Sequence, residues 1–360
     1  MKAKNLSFFL IVTLLIFWGT YSVVTAQENS LASHSADRLA LNADIFNYSE
    51  PAIITLKYDI REFLKGKYSD DYTDAELIFH INDTISISNS VRIRPRGNNR
   101  REVCTFPPIY INIKKSVPDS GYPGNMEKIK FVTHCIPSDS GNDCVLREYL
   151  IYKMYNLISP FSFRVRLARV RYIDTGRKDR ESIRWGFFIE PEEMLAERLE
   201  AVSLDIDHID YNYTDPESTD IMSMFQYIIG NADYSIQTRQ NIKLIKPLND
   251  ALSMPIPVPY DFDYSGFVDA YYAIPGDKLG IATVKERYFL GPCRTEERYK
   301  EIFSYFFELK DELYSLIESF EYLDKRDKKI ALGYLDEFFL QAGQSRFIRN
   351  NILSTCRDTL

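Results

Sequence analysis

The chain is poor in the residues that most often announce a chemistry. Its 360 residues hold only four histidines (His34, His80, His134, His208), well scattered, and no CxxC pair. A tetrahedral zinc centre therefore has no ligand set to draw on. The 15 glycines never gather into the usual Gly-rich phosphate loop; the nearest approach is Arg96-Gly97-Asn98-Asn99. Beyond the N-terminal leader no stretch reaches the ~20 consecutive apolar residues of a membrane helix, so none is expected in the mature chain. Positive charge is also short. The 44 Lys and Arg against 51 Asp and Glu give −7. The leader carries two Lys and no acid, leaving 42 against 51, or −9. Such a balance argues against a nucleic-acid partner.

What is present is an ordinary folding composition, 45% hydrophobic and 26% charged, with 25 Tyr and 23 Phe against 2 Trp. That excludes disorder and low complexity for most of the chain and allows a large core. Lys2 and Lys4, the apolar run Phe8 to Trp18, and Val24-Thr25-Ala26 before Gln27 read as a cleaved signal peptide over 1–26. The protein is therefore expected outside the cytoplasm: periplasmic, on the cell surface or secreted. Residues 27–50 are polar and read as a flexible leader to the fold. All five cysteines lie in the mature part. Cys135 and Cys144, closing a short loop with Ser138, Ser140 and Gly141, make the first choice for a disulfide.

From 51 to about 135 short β-branched or alternating runs dominate: Ile53 to Tyr58, Glu76 to Ile81, Val91 to Arg94, Ile109 to Ile113, Ile129 to Val132. Leu146, Leu150, Met154 and Leu157 then form a helical stripe after Asn142-Asp143. Strands return at Phe163 to Tyr172 and Ile183 to Ile189, and Pro191 suits the first turn of a helix over 192–200. The stretch 295–350 is helical, with Ile302, Phe306, Leu313, Leu316 and Phe320 apolar. The order predicts an α+β protein of two lobes, β-rich over 51–190 and helical over 191–360.

Residues 219–268 carry the chemistry. Thr219 can cap a helix with Ile221, Met222, Phe225, Ile228 and Ile229 on its apolar face, ended by Gly230. Asn231-Ala232-Asp233 follows, then a polar loop to Asn241. Ile242 to Lys246 reads as a strand, a turn spans 247–251, and Pro255 to Pro259 lead into Tyr260-Asp261-Phe262-Asp263. A hairpin returns its second strand beside its first, which brings Asp233, Asn241 and Asp261 towards one point. Hard oxygen ligands around an orienting carboxylate are what Mg-nucleotide phosphoryl transfer requires.

Four segments, Arg96-Gly97-Asn98, Leu146-Arg147-Glu148-Tyr149-Leu150, Gly230-Asn231-Ala232-Asp233 with Asn241, and Pro259-Tyr260-Asp261-Phe262-Asp263, together resemble the CotH family of atypical spore-coat protein kinases, especially its secreted bacterial relatives. The resemblance covers about 50 to 300. It implies a two-lobed protein-kinase-like fold, with the catalytic loop and metal-binding segment in the helical lobe, that transfers phosphate from ATP, with Mg²⁺ or Mn²⁺, to a hydroxyl outside the cytoplasm. The acceptor would be a protein Ser/Thr or a small molecule. By the same resemblance Asp233 is the acceptor-orienting base, Asn241 and Asp261 are metal ligands, and Asp263 holds a second ion. Lys130 binds phosphate, Glu148 holds Lys130, and Arg96 covers the phosphates.

Plainer readings stand beside these. Asp233 can be a turn residue bonding its own backbone. Lys130 can snorkel along a strand, with Lys128 as its rival. Glu148 can pair with Arg147 or Lys153. Asp205, Asp207, Asp210 and Asn212 mimic a calcium loop without its Gly and Glu, and read as a solvated turn. Arg94, Arg96, Arg100 and Arg101 are either a phosphate clamp or a surface patch. Three functions follow: an exported kinase; a catalytically inactive kinase-like fold serving as a binding or structural module; or a hydrolase using Asp233 and Asp261 as acid and base.

Overall fold

Alternating burial builds the first sheet. In β3 (Ser86–Pro95) Val91, Ile93 and Pro95 point inward while Arg92 and Arg94 point away, and β4 (Ile109–Ile113) and β5 (Lys128–Val132) bury Ile109, Ile111, Ile129 and Phe131. The computed structural model describes residues 45–113, 128–249 and 252–357. The expected signal peptide and residues 27–44 of the expected leader lie outside the described residues. Among those described, β1 (Ala52–Tyr58), β2 (Thr73–His80), β3, β4, β5, β7 (Arg180–Ile189) and β6 (Val165–Asp174) join in that order into a closed barrel.

Closure comes from β6 lying parallel to β1, Ala52 opposite Ala168 and Tyr58 opposite Asp174, while the other pairs are antiparallel. Closing the ring gives every strand of this sheet two neighbours, although among the described residues Ser86 to Ser90 of β3 and Arg180 to Gly186 of β7 pair on one side only. Gly186 in β7 makes room for the interior ring of Phe131, whose Cζ would lie 2.4 Å from any Cβ there. A second, antiparallel sheet has the order β10 (Ile256–Pro259), β9 (Ile242–Pro247), β8 (Ala201–Ser203).

The helix Asp139–Ile158 starts at a Ser138 cap, earlier than the stripe suggested, and is buried along most of its length. Its Tyr152 ring packs against Phe187 of the barrel (5.6 Å) and Phe262 after β10 (4.8 Å), while Tyr149 stacks on Phe320 at 5.7 Å. The helix Pro216–Ile228 begins at Asp215, whose carboxylate accepts from Ser218 N–H, with Pro216 in the first turn. Thr219, expected as the cap, is instead wholly buried and bonded to Thr214. An Asp–Pro pair outranks a lone Thr because it fixes φ and fills an orphan N–H together. The C-terminal stretch forms helices Glu296–Glu308, Lys310–Ser319 and Lys325–Ala342.

The expected α+β, two-lobed kinase-like fold with a helix-rich C-terminal lobe is therefore corrected. The strands of the first half close a seven-stranded mixed barrel, and one apolar core runs without a break from Val132 and Phe187 to Phe338 and Ile352. Local alternation specifies each strand, but β1 finds its partner β6 more than a hundred residues away, which no local pattern encodes.

The disulfide expectation is corrected as well. The bridges are Cys104–Cys135 and Cys293–Cys356, and Cys144 is the free thiol. Each bridge is set up by backbone pairing beside it: Phe106 N–H donates to Cys135 O at 2.8 Å, and Cys293 N–H to Arg357 O at 2.9 Å. Among the described residues no helix is long and apolar enough to cross a membrane.

Candidate functional site

The site is assembled at the open end of the β9–β10 hairpin. Asn241 precedes β9, Asp261 follows β10, and Tyr260 N–H donates to Asn241 O at 3.0 Å. Both Asn241 (φ 54°) and Asp261 (φ 63°) sit in the left-handed region, a strained backbone that surrounding packing must hold in place. Part of that hold is Tyr152, whose hydroxyl accepts from Asp261 N–H at 2.9 Å.

Asp233 arrives from the helix Pro216–Ile228 through Gly230 (φ 65°), where a Cβ would lie 2.0 Å from the Tyr334 hydroxyl. Asn231 Oδ1 accepts from Asp233 N–H at 3.0 Å and shapes the turn. Asn241 Nδ2 donates to Asp233 O (2.7 Å) and Oδ2 (3.0 Å), and Gln240 Nε2 donates to Oδ1. Burial raises the Asp233 carboxyl to about 6, with Asp263 and Asp261 adding repulsion that the two amide donors only partly offset.

Behind Asp233 lies an acidic cluster. Glu148, Asp261 and Asp263 each offer a carboxylate oxygen, all within 4.8 Å of one another. Arg100 fills the space between them. Its Nε lies 2.6 Å from Asp263 Oδ2, and its Nη2 lies 3.0 and 3.1 Å from the Glu148 oxygens and 3.2 Å from Asp261 Oδ1. Tyr272 OH donates to the same Asp263 oxygen at 2.9 Å. Three carboxylates around one guanidinium exceed it in charge. Burial accordingly raises the Glu148 carboxyl well above its usual range despite the pairing with Arg100. Burial would raise Asp261 too, but Arg100, Arg96 and Lys130 outweigh it and hold that carboxyl below its usual value. Hard oxygen donors this close suit Mg²⁺ or Mn²⁺.

On the other side of Asp261 the site is basic. Arg96 ends the run β3–Pro95 and turns inward, 7% exposed, and its Nε and Nη2 have no hydrogen-bond partner. Lys130, on β5, holds its ammonium 4.3 Å from the centre of the Tyr260 ring. Burial, then Arg96 and Lys243, lower the Lys130 ammonium to about 8, with Asp261 acting in the opposite sense. Two cationic side chains held together, one with empty donors, form a receptor for an anion.

The residues expected from the sequence thus meet: Asp233, Asn241, Asp261 and Asp263 at the hairpin, Arg96 and Lys130 beside them, Glu148 beneath. Their partners differ in detail. Glu148 pairs with Arg100 rather than with Lys130, and Asn241 turns its amide nitrogen to Asp233. Lys128 is exposed and lies over Tyr110 at 4.1 Å, the ring that Arg96 also covers at 6.0 Å. The arginine cluster divides: Arg96 and Arg100 turn inward, while Arg94 and Arg101 reach Asp70 at the surface. Asp205 pairs with Arg239 and Asp210 caps a short turn, so that acidic loop is spent on local structure.

Tyr152, Tyr272 and Gln240 escaped the sequence reading. Tyr152 stands four residues after Glu148 on one helix face, a spacing that could have flagged it; nothing local marks the others. No protein-family model matches this chain, and no curated protein does.

Proposed function

We propose that this chain is an exported phosphotransferase: it holds a nucleotide's phosphates with a divalent cation and passes the terminal phosphoryl group to a hydroxyl oriented by Asp233. The observation that carries the reading is Arg96. A buried guanidinium with two unmet donors costs several kcal/mol unless an anion completes it. Lys130 beside it and a carboxylate cluster on the far side of Asp261 describe a phosphate next to a metal. The sequence likeness to CotH kinases supports the same chemistry without requiring their fold.

Within this reading Glu148, Asp261 and Asp263 would hold the cation, with Asn241 Oδ1, which makes no intramolecular hydrogen bond among the described residues, as a further donor. The bound metal nucleotide would supply the phosphoryl group and the charge that offsets it. Asp233 does the rest. It is fixed by Gln240 and Asn241 and ionised above about pH 6, so it accepts the acceptor's hydroxyl proton near neutrality. Arg96 and Lys130 counter the charge that develops on phosphate oxygens. Export is supported by the signal-like N-terminus and by the two disulfides, which are characteristic of oxidising compartments.

One observation favours a second reading, an extracytoplasmic binding module without turnover: Arg100 already supplies a cation to the three carboxylates. Incubating the chain from Gln27 onward with γ-labelled ATP, with Mg²⁺, Mn²⁺ or chelator, separates the two. Metal-dependent incorporation of label is expected. Metal-independent nucleotide binding without transfer or hydrolysis would leave the module.

A further inference from the structure

The face of β3–β5 that turns away from the barrel core carries a file of cations, of which the phosphate receptor uses only the inner end. Arg92 and Arg94 alternate with the buried Val91 and Ile93 and so share one face of β3. Tyr110 stands opposite Arg94, and Lys128 opposite Asn112, on that same face. Two rings hold these side chains. The guanidinium carbons of Arg92 and Arg94 lie 5.1 and 5.4 Å from the centre of the Tyr72 ring. Those of Arg94 and Arg96 lie 5.2 and 6.0 Å from the centre of the Tyr110 ring, and Lys128 Nζ lies 4.1 Å from it.

Four positive charges thus gather around two rings on a chain that is acidic overall. Carboxylates do not balance them. Asp70, itself exposed, meets Arg94 at 3.4 Å and is shared with Arg101, and Asp74 stands opposite Arg92 on β2. Among the described residues Arg92 and Lys128 make no hydrogen bond or ion pair. Arg94 Nε joins Arg96 Nε and Nη2 as a buried donor without a partner. Like charges held this close repel one another until an anion enters. Residues two apart on a strand stand about 6.6 Å apart, so Arg92, Arg94 and Arg96 repeat their charge at that interval and end beside Asp261. A phosphoanhydride chain, charged at every successive phosphorus, is too dense for this spacing. A polyol phosphodiester, with one charge per repeat, matches it. Single-stranded nucleic acid has a similar interval but stacks its bases on free aromatic faces, and both rings here are already engaged by cations.

We infer that this face is a binding lane for a linear polyol phosphodiester of the poly(glycerol phosphate) type, entered at Arg92 and running to Arg96. The lane requires no turnover and stands whether or not the chain transfers phosphate. Arg92, Arg94 and Arg96 meet successive phosphates and Lys128 flanks them, while Tyr72 and Tyr110 keep the cations in place.

The test is fluorescence anisotropy of end-labelled poly(glycerol phosphate) over a salt series, with neutral polyglycerol and oligothymidylate of equal length as the other probes. Four phosphate contacts should give log Kd a slope of about 3 against log salt. Arg92→Gln should lower that slope by about 1, and Lys128→Gln, on a different strand, should do the same. A folding defect in one variant therefore cannot account for both. Mg-ATP affinity should be retained in each. No salt-dependent binding, a slope that neither substitution changes, or equal binding of neutral polyglycerol overturns the lane. Tighter binding of oligothymidylate overturns it in favour of a nucleic-acid face. An equal loss of Mg-ATP affinity in both variants overturns it by merging this face with the nucleotide's own site. Failure of the parent to bind Mg-ATP bears on the phosphotransfer reading alone.

Discussion

Arg100 Nε lies 2.6 Å from Asp263 Oδ2, and both side chains are almost wholly enclosed. The guanidinium sits where a divalent cation would bind the same three carboxylates, so the two compete for one position. Helix Asn98–Val103, which carries Arg100, is tied at its C-cap by the Cys104–Cys135 bridge. The cation in the cluster is thereby fixed to the loop that follows β5.

Arg100→Gln should therefore tighten Mn²⁺ binding by about tenfold or more, because it removes a close competing charge. It should also lower the stability of the metal-free protein by about 3 kcal/mol, since buried carboxylates lose their partner. Electron paramagnetic resonance of free Mn²⁺ and a melting curve read the two effects. Weaker Mn²⁺ binding in the variant would show that Arg100 helps rather than competes.

Asp233→Asn keeps the shape while removing the base and one of its two side-chain amide contacts, since an amide has a single oxygen to accept from Gln240 or Asn241. Phosphoryl transfer should fall on the order of 10²-fold or more, with Mg-nucleotide affinity little changed. In the parent, kcat should rise with pH through about 6, where the Asp233 carboxyl ionises. Activity that survives the substitution would reduce Asp233 to a turn residue.

The same carboxyl predicts a stability profile. Its folded value of about 6 stands above the usual carboxyl value of 3.8, so the fold prefers the protonated form. That contribution is fully present below about pH 4 and is lost as pH rises through about 6. Asp233→Asn should thus melt higher than the parent at pH 8 by more than it does at pH 4. A gap independent of pH would contradict the carboxyl's strained environment.

Lys130→Met separates folding from binding. The ammonium is lowered from 10.5 to about 8, so the native state carries a penalty that grows as pH falls through 8. At pH 7 the variant should be more stable than the parent, by an amount on the order of 1 kcal/mol. Its affinity for nucleotide should drop at the same time. Calorimetric melting and isothermal titration provide the two readings; a variant less stable than the parent at pH 7 would place Lys130 in a structural role.

Peptide mapping without reduction should recover Cys104 joined to Cys135 and Cys293 joined to Cys356, with Cys144 alone open to alkylation after unfolding. Loops of this length imply about 4 kcal/mol from each bridge. Cys293→Ser should lower the melting point accordingly while leaving the Arg100 cluster in place.

The sequence by itself determined the local elements and the meeting of the polar residues at the hairpin. Alternation over Val91 to Arg94 or Ile109 to Ile113 is a short-range property of a half-buried strand, so it was readable. Asn241 and Asp261 come together because β10 pairs antiparallel with β9, Pro259 opposite Ile242. Tertiary structure decided everything that depended on distant partners. β6 closing against β1 made a barrel where two lobes were expected, since an edge strand's partner is chosen by the whole sheet. Pairing of Phe106 with Cys135 selected Cys104 over Cys144 as the bridging thiol. The same kind of long-range choice gave Glu148 to Arg100 instead of Lys130, because three clustered carboxylates, two of them buried, need the broad, multidentate charge of a guanidinium, and that need exists only once the fold has brought them within 4.8 Å.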